Sequence, residues 1–230
     1  MVADAREPAG DRVRAVRAVL TVVGRGELAF ATLHRRPLLQ HALAVLEELL
    51  PGRLDVVADP ADVRRTAKAV AGHRSAQVLT PTEWHRQTRA SAADHGPVLV
   101  HDPLCPLVGR DFLAEVLAAG ADDRDASVVA YRPVTDTVKN MAGSRITGTV
   151  DRETLATVAS PVLVAAGALA RAGDDDLLPL GSETALAAWV HRHGPVRMLR
   201  APSLARRVDD LASLHLLQCL DEVRRRTRSG

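Results

Sequence analysis

The stretch GPVLVHDPLCPLV, residues 96–108, sets an apolar run, Pro97 to Val100, directly before a polar pair, His101-Asp102. An unbroken Val/Leu run without polar alternation is the pattern of a parallel strand buried on both faces. The spacing therefore predicts a strand over PVLVHD with Asp102 at its carboxyl end. In open parallel sheets that end is where loops converge and ligands bind. An aspartate there fits two roles. It can cap the following turn through its side-chain oxygens, or it can hold a divalent cation that bridges substrate phosphates.

Outward from this strand, helical and extended periods alternate. Residues 13–23, ending in VRAVLTVV, and RLDVVA at 53–58 read as Val/Leu-rich strands. Between them RPLLQHALAVLEELLPG reads as a helix with Pro37 in its first turn. Leu39, Ala42, Leu46 and Leu49 share one face, and Pro51-Gly52 form the stop. DPADVRRTAKAVAGH reads as a helix, AQVLT as a short strand and residues 82–94 as a polar helix. After PVLVHD come GRDFLAEVLAAG, a helix closed by Gly120, and the strand ASVVAYRPV. Residues 136–150, with Gly143 and Gly148 and no room for a helix, read as a projecting hairpin arm. A short helix from Asp151, the strand PVLVAAG, a helix from Ser182 to His191, the strand PVRMLRA and a last helix over 208–225 complete the chain. The expected architecture is a single α/β domain over residues 1–230. It is Rossmann-like and doubly wound, with a mostly parallel sheet and helices on both faces.

Composition narrows the function. The chain has 230 residues, 47% hydrophobic and 25% charged, enough for a continuous core. Aromatic residues make up only 2%, which leaves few rings for stacking on bases, so nucleic-acid binding is not expected. Lys68 and Lys139 are the only lysines among 30 basic residues. Arginine is a fixed planar fork and does not freely replace a lysine point charge. Two cysteines suit a reducing interior, and neither a signal peptide nor a spanning segment stands out, so a cytoplasmic protein with no membrane partner is expected.

At this point the residues resemble a known family, the bacterial 2-C-methyl-D-erythritol 4-phosphate cytidylyltransferases of isoprenoid precursor synthesis. VLVHDPLCP resembles the family's V-L-V-H-D-A-A-R-P, RPVTDTVKN its P-V-x-D-T-x-K, and GTVDRETLATVASP its T-x-D-R-x-x-L-x-x-x-x-T-P. RRPLLQHAL and RRVDDLASLHLL are similar to its helix entry and closing block. The likeness spans roughly residues 18–220. It implies a nucleotidyltransferase fold and a homodimer whose arm reaches over the partner's active site. It also implies a reaction in which a polyol phosphate attacks the α-phosphorus of CTP with Mg²⁺ present, releasing pyrophosphate. On that basis Asp102 is the metal- and nucleotide-side carboxylate, and with Arg152 a catalytic residue. Thr137, Lys139 and Arg152 bind the substrate phosphate; Asp136 matches the same arm motif.

The resemblance fails in one region. The family's first strand leads into A-A-G-x-G-x-R and then P-K, a loop that aims backbone N–H groups and cations at the triphosphate. Here the chain runs TVVGRGELAFATLHRRPLL, several residues short and without lysine. Gly24, Arg25 and Gly26 are the remaining nucleotide-side candidates, and Gly-Arg-Gly reads equally as a tight turn. The base-facing loop has become TPTEWHRQTRAS, the motif arginine is Cys105, the T-D-E-A-S block is GSETA at 181–185, and Leu204 stands where a lysine is expected. Cytidylyl transfer is accordingly expected to be impaired or redirected. A non-catalytic paralogue that binds or dimerises with a partner is the alternative. Cys105 reads as a packed residue, and His191 and His193 as a solvated helix end. Asp174 to Asp176 read as an exposed loop.

Overall fold

The computed structural model of the chain describes residues 16–50, 52–90 and 96–228. Residues 13–15 of the first expected strand, Pro51 and residues 91–94 of the polar helix lie outside the described residues. The chain opens with β1 (Arg17–Thr21), a 3-10 turn (Gly26–Phe30) and the two-residue strands β2 (Thr32–Leu33) and β3 (Arg36–Pro37). Then follow α1 (Leu38–Leu49), β4 (Leu54–Val57), α2 (Val63–Val70), β5 (Ala76–Leu79), α3 (Pro81–Ala90), β6 (Val98–His101) and α4 (Arg110–Asp122). The second half has β7 (Ser127–Pro133), the arm strands β8 (Val138–Ala142) and β9 (Arg145–Val150), and β10 (Ala156–Val164). It closes with α5 (Ala166–Arg171), α6 (Glu183–Arg192), β11 (Val196–Arg200) and α7 (Leu211–Arg228).

The central sheet runs β11-β7-β10-β6-β1-β4-β5. All its pairings are parallel except those of β10, which is antiparallel to both β6 and β7. A parallel return would need a crossover of a dozen or more residues, usually helical. The chain spends residues 134–155 on the hairpin arm instead, so it comes back along β7 in the opposite sense.

Alternation along each buried strand splits its side chains between two layers. Ala18, Leu20, Leu99 and Leu163 face the layer of α1 and α4, where Leu39, Leu43, Leu46, Leu113 and Val116 are buried. Val19, Val98, Val100 and Val162 face the other layer, against Leu186, Trp189 and Val190 of α6. With so few aromatic rings the core is built from Leu, Val and Ala. The two tryptophans are both buried and donate their indole N–H groups to Asp55 and Asp176, at 3.1 and 2.9 Å. Asp55 is fully buried in β4, and Arg17 and Arg53 pair with it as well. Among the described residues no helix is long and apolar enough to cross a membrane.

Four expectations need correction. Gly120 does not close α4, which continues to Asp122. A Cβ at Gly120 would stand 2.3 Å from Cδ2 of Leu163 on β10, so the glycine is there for close helix–sheet approach. Asp176 is more than part of an exposed loop, because it also meets Nε2 of His193 at 3.0 Å. His193 in turn packs on the Trp189 ring instead of lying in solvent. Pro37 precedes α1 at the N-cap position and is not in its first turn.

An exposed mid-helix Gly→Ala change gains about 1 kcal/mol from propensity. At Gly120, overpacking against buried Leu163 costs about 1–3 kcal/mol and outweighs that gain. Gly120→Ala is expected to lower the urea midpoint, and a raised midpoint would contradict the close packing of α4 on β10.

Candidate functional site

The carboxyl ends of β1 and β6 lie side by side, because the two strands pair in parallel with Leu20 opposite His101. Asp102 thus emerges next to the turn that follows β1. That turn is shaped by Gly24 (φ 71°) and Gly26 (φ 52°), left-handed conformations that glycine adopts without a Cβ penalty. Between them Arg25 points inward and is only 5% exposed.

Its guanidinium is held on every side. Nη1 donates to the carbonyls of Val23 and Gly181 at 2.9 and 2.7 Å. Nη2 donates to Oε1 of Glu183 at 2.6 Å. Nε lies 3.1 Å from Oδ1 of Asp102 but out of line for a hydrogen bond, so that contact is purely ionic. Backbone donors of the same turn are also spent internally: Gly24 N–H on Asp59 at 2.8 Å and Arg25 N–H on the Val22 carbonyl at 3.0 Å.

Two further segments complete the cluster. Ser182 caps α6 by accepting the N–H of Ala185, which places Glu183 in the helix's first turn. The segment before α7 is pinned by Val208 N–H on the Leu104 carbonyl at 2.7 Å, and from it Arg207 Nε donates to Oδ2 of Asp102 at 3.1 Å. Oδ1 of Asp102 accepts the N–H of Leu104 at 2.8 Å, so the turn-capping role read from the sequence is present too. The space left among Thr21, Arg25, Asp102, Ser160 and Glu183 is about 10 Å³, barely room for one water.

Burial and charge set the ionisation of the cluster. Burial raises Glu183, the adjacent Asp102 carboxylate adds to this, and Arg25 only partly opposes it, leaving a pKa of about 7. Burial also works against ionisation of Asp102. Its contacts with Glu183, Arg25, the Leu104 N–H and Arg207 prevail and hold it below the usual carboxylate range. His101 is driven down to about 4 by burial, with Asp102 offsetting little of that. It is neutral and held in place: Ser160 Oγ accepts the Asp102 N–H at 2.8 Å and hydrogen-bonds His101 Nδ1 at 2.7 Å. Burial raises the Cys105 thiol well above its ordinary value, consistent with a packed, unreactive residue.

Of the residues singled out in the sequence, Gly24, Arg25, Gly26 and Asp102 meet here. Thr137, Lys139 and Arg152 belong to the arm and its base. Lys139 Nζ donates to Oγ1 of Thr149 across the hairpin at 2.6 Å, and Arg152 donates to the Thr135 carbonyl at 2.8 Å. Arg152 and Thr135 line an open cavity of about 470 Å³ with Tyr131, Thr154 and Ala156. The cavity shares no lining residue with the strand-end pocket.

Sequence reasoning missed Glu183 and Arg207. Glu183 lay within GSETA, and its position just after a Ser cap was the available signal. Arg207 follows the noted Leu204 by three residues, and no spacing rule links it to Asp102.

Glu183 is favoured in its protonated form by the fold, so its contribution to stability is full below pH 4.5 and is lost as pH rises to about 7. Across that window wild-type stability should fall by up to about 3 kcal/mol from this group, and Glu183→Gln should flatten the decline in thermal melts. Arg25→Met, which leaves Arg207 as the remaining cation on Asp102 and removes the buried partner of Glu183, should cost up to about 3–5 kcal/mol in urea unfolding at pH 8.

The chain resembles known proteins in both sequence and fold. Residues 22–199 match the family model for 2-C-methyl-D-erythritol 4-phosphate cytidylyltransferase. The enzyme of that name from Ectopseudomonas mendocina is 33% identical over 177 residues, covering 75% of this chain and 72% of that protein. The bifunctional IspD/IspF enzyme of Solidesulfovibrio magneticus is 36% identical over 118 residues, covering 46% of this chain; the match spans only 29% of that longer protein. The crystal structure of the Thermus thermophilus cytidylyltransferase superposes with a TM-score of 0.66 at 24% identity, covering 89% of this chain and 98% of that one. A family match over most of the length, and a relative 33% identical over most of both chains, lead to one conclusion: the chain belongs to the 2-C-methyl-D-erythritol 4-phosphate cytidylyltransferase family.

Proposed function

We propose that this chain is a family member that binds a phosphorylated polyol, or a similar phosphate ligand, at its arm, while transfer of a cytidylyl group from CTP is strongly suppressed. The observation that carries this reading is the closed strand-end pocket, in which Arg25 is consumed by Asp102, Glu183 and two carbonyls. Nucleotidyl transfer relies on positioning and on donors aimed at charge that develops in the transition state. In this turn the N–H groups of Gly24 and Arg25 are taken by Asp59 and the Val22 carbonyl, and the one cation is already neutralised. Loss of a single such donor typically slows a reaction about a hundredfold to a thousandfold, and the shortened loop lacks more than one.

The arm supports the second half of the proposal. Thr137, Lys139 and Arg152 retain the family's motif, and Arg152 borders the 470 Å³ cavity. Met141 and Ile146 stand 56% and 59% exposed on the hairpin. Apolar side chains so placed favour burial against another subunit. This supports a homodimer joined through the arms, and it equally favours a second reading, a non-catalytic paralogue that pairs with a complete cytidylyltransferase.

Pyrophosphate release from CTP, Mg²⁺ and 2-C-methyl-D-erythritol 4-phosphate should run at least about a hundredfold slower than with the Ectopseudomonas mendocina relative assayed alongside. A comparable rate would overturn the proposal. In calorimetric titration with the polyol phosphate, Arg152→Ala should weaken binding about tenfold or more, and unchanged heats would remove the arm from the ligand site.

A further inference from the structure

A carboxylate that holds a divalent ion must offer it an open oxygen, and the ion must find several more oxygens around it. Asp102 offers none. Oδ1 takes the N–H of Leu104 and the charge of Arg25 Nε at 3.1 Å, and Oδ2 takes Arg207 Nε at 3.1 Å. Glu183 Oε1 is 2.6 Å from Arg25 Nη2 and 3.8 Å from Arg207 Nε. The neighbouring polar ring, His101, is committed to Ser160. The remaining volume of about 10 Å³ has no room for an ion with its waters. Among the described residues no group of three or more His, Cys, Asp and Glu side chains could hold a metal ion. The residues present therefore do not fit the Mg²⁺ that the family resemblance implies at Asp102.

Charge balance points the same way. Above about pH 7, where Glu183 is ionised as well as Asp102, two carboxylates face two guanidinium groups, so an added dication would be set against the buried Arg25, where repulsion is poorly screened. The Arg25 Nε makes no hydrogen bond and is held by charge alone.

We infer that Arg25 is a built-in cation: its guanidinium takes the position between Asp102 and Glu183 that a divalent ion would need, Arg207 completes the neutralisation, and Asp102 of this chain holds no metal. The inference rests on reading this strand end as the family's nucleotide-side pocket. It does not depend on the rate of transfer. Removing the guanidinium would leave two carboxylates facing a void on strand and helix ends that remain fixed, which is a latent divalent-cation site.

Mn²⁺ titration followed by electron paramagnetic resonance tests this on the full chain. Wild type should leave Mn²⁺ free up to millimolar concentrations. Arg25→Ala should gain one bound Mn²⁺ per chain, at least about tenfold tighter than any wild-type binding, and adding Asp102→Asn should abolish it. Arg25→Gln, which keeps part of the side-chain packing, carries the same expectation if the alanine variant does not fold. One Mn²⁺ bound by wild type and lost in Asp102→Asn would overturn the inference, as would a folded Arg25 variant that binds no Mn²⁺. Wild-type Mn²⁺ binding together with slow pyrophosphate release would sink the inference and leave the proposed function standing. Silence towards Mn²⁺ with brisk release would do the reverse.

Discussion

A guanidinium that is 5% exposed must be compensated where it lies, and this requirement organises the strand-end half of the molecule. Four segments meet to satisfy Arg25. The β1 turn supplies it, the end of β6 supplies Asp102, the first turn of α6 supplies Glu183, and the segment before α7 supplies Arg207 as a second cation on Asp102. Each is fixed by its own backbone contacts, so the cluster depends on a finished fold. Thr21 Oγ1 on the Leu180 carbonyl at 2.7 Å and Val208 N–H on the Leu104 carbonyl hold the α6 and α7 approaches in register with the strands.

The arm and the strand-end turn are held in different ways. The arm is a local hairpin with its own ladder and a cross-strand Lys139–Thr149 bond, so its residues keep their motif independently of what happens at the strand ends. The Gly24–Gly26 turn has no such autonomy. Its backbone bonds to the Asp59 side chain and the Val22 carbonyl, and the Arg25 side chain between the two glycines turns into the pocket.

Much of the fold was legible in the sequence because burial on both faces leaves an unbroken Val/Leu signature, as in β4 and β6. The hairpin arm was legible from Gly143 and the missing helical period. Gly120 was misread because a glycine late in a helical pattern looks the same whether it ends the helix or admits Leu163 from the sheet. The antiparallel sense of β10 was not legible: strand direction depends on the connection, and side-chain period is identical either way. In the site, Asp102 was found through its position at a strand end. Glu183 and Arg207 were not, since they stand about 80 and 105 residues away from Asp102 along the chain.

By itself the sequence determined the elements, the layers they form, the hairpin and the absence of lysine from the segment after the first strand, because these follow from local period, glycine placement and residue type. Only the tertiary structure decided that Arg25 turns into the pocket and spends its charge on Asp102 and Glu183. Ion pairing acts through space, and which charges become neighbours in a low-dielectric interior is settled by strand pairing and helix docking, not by their order in the chain.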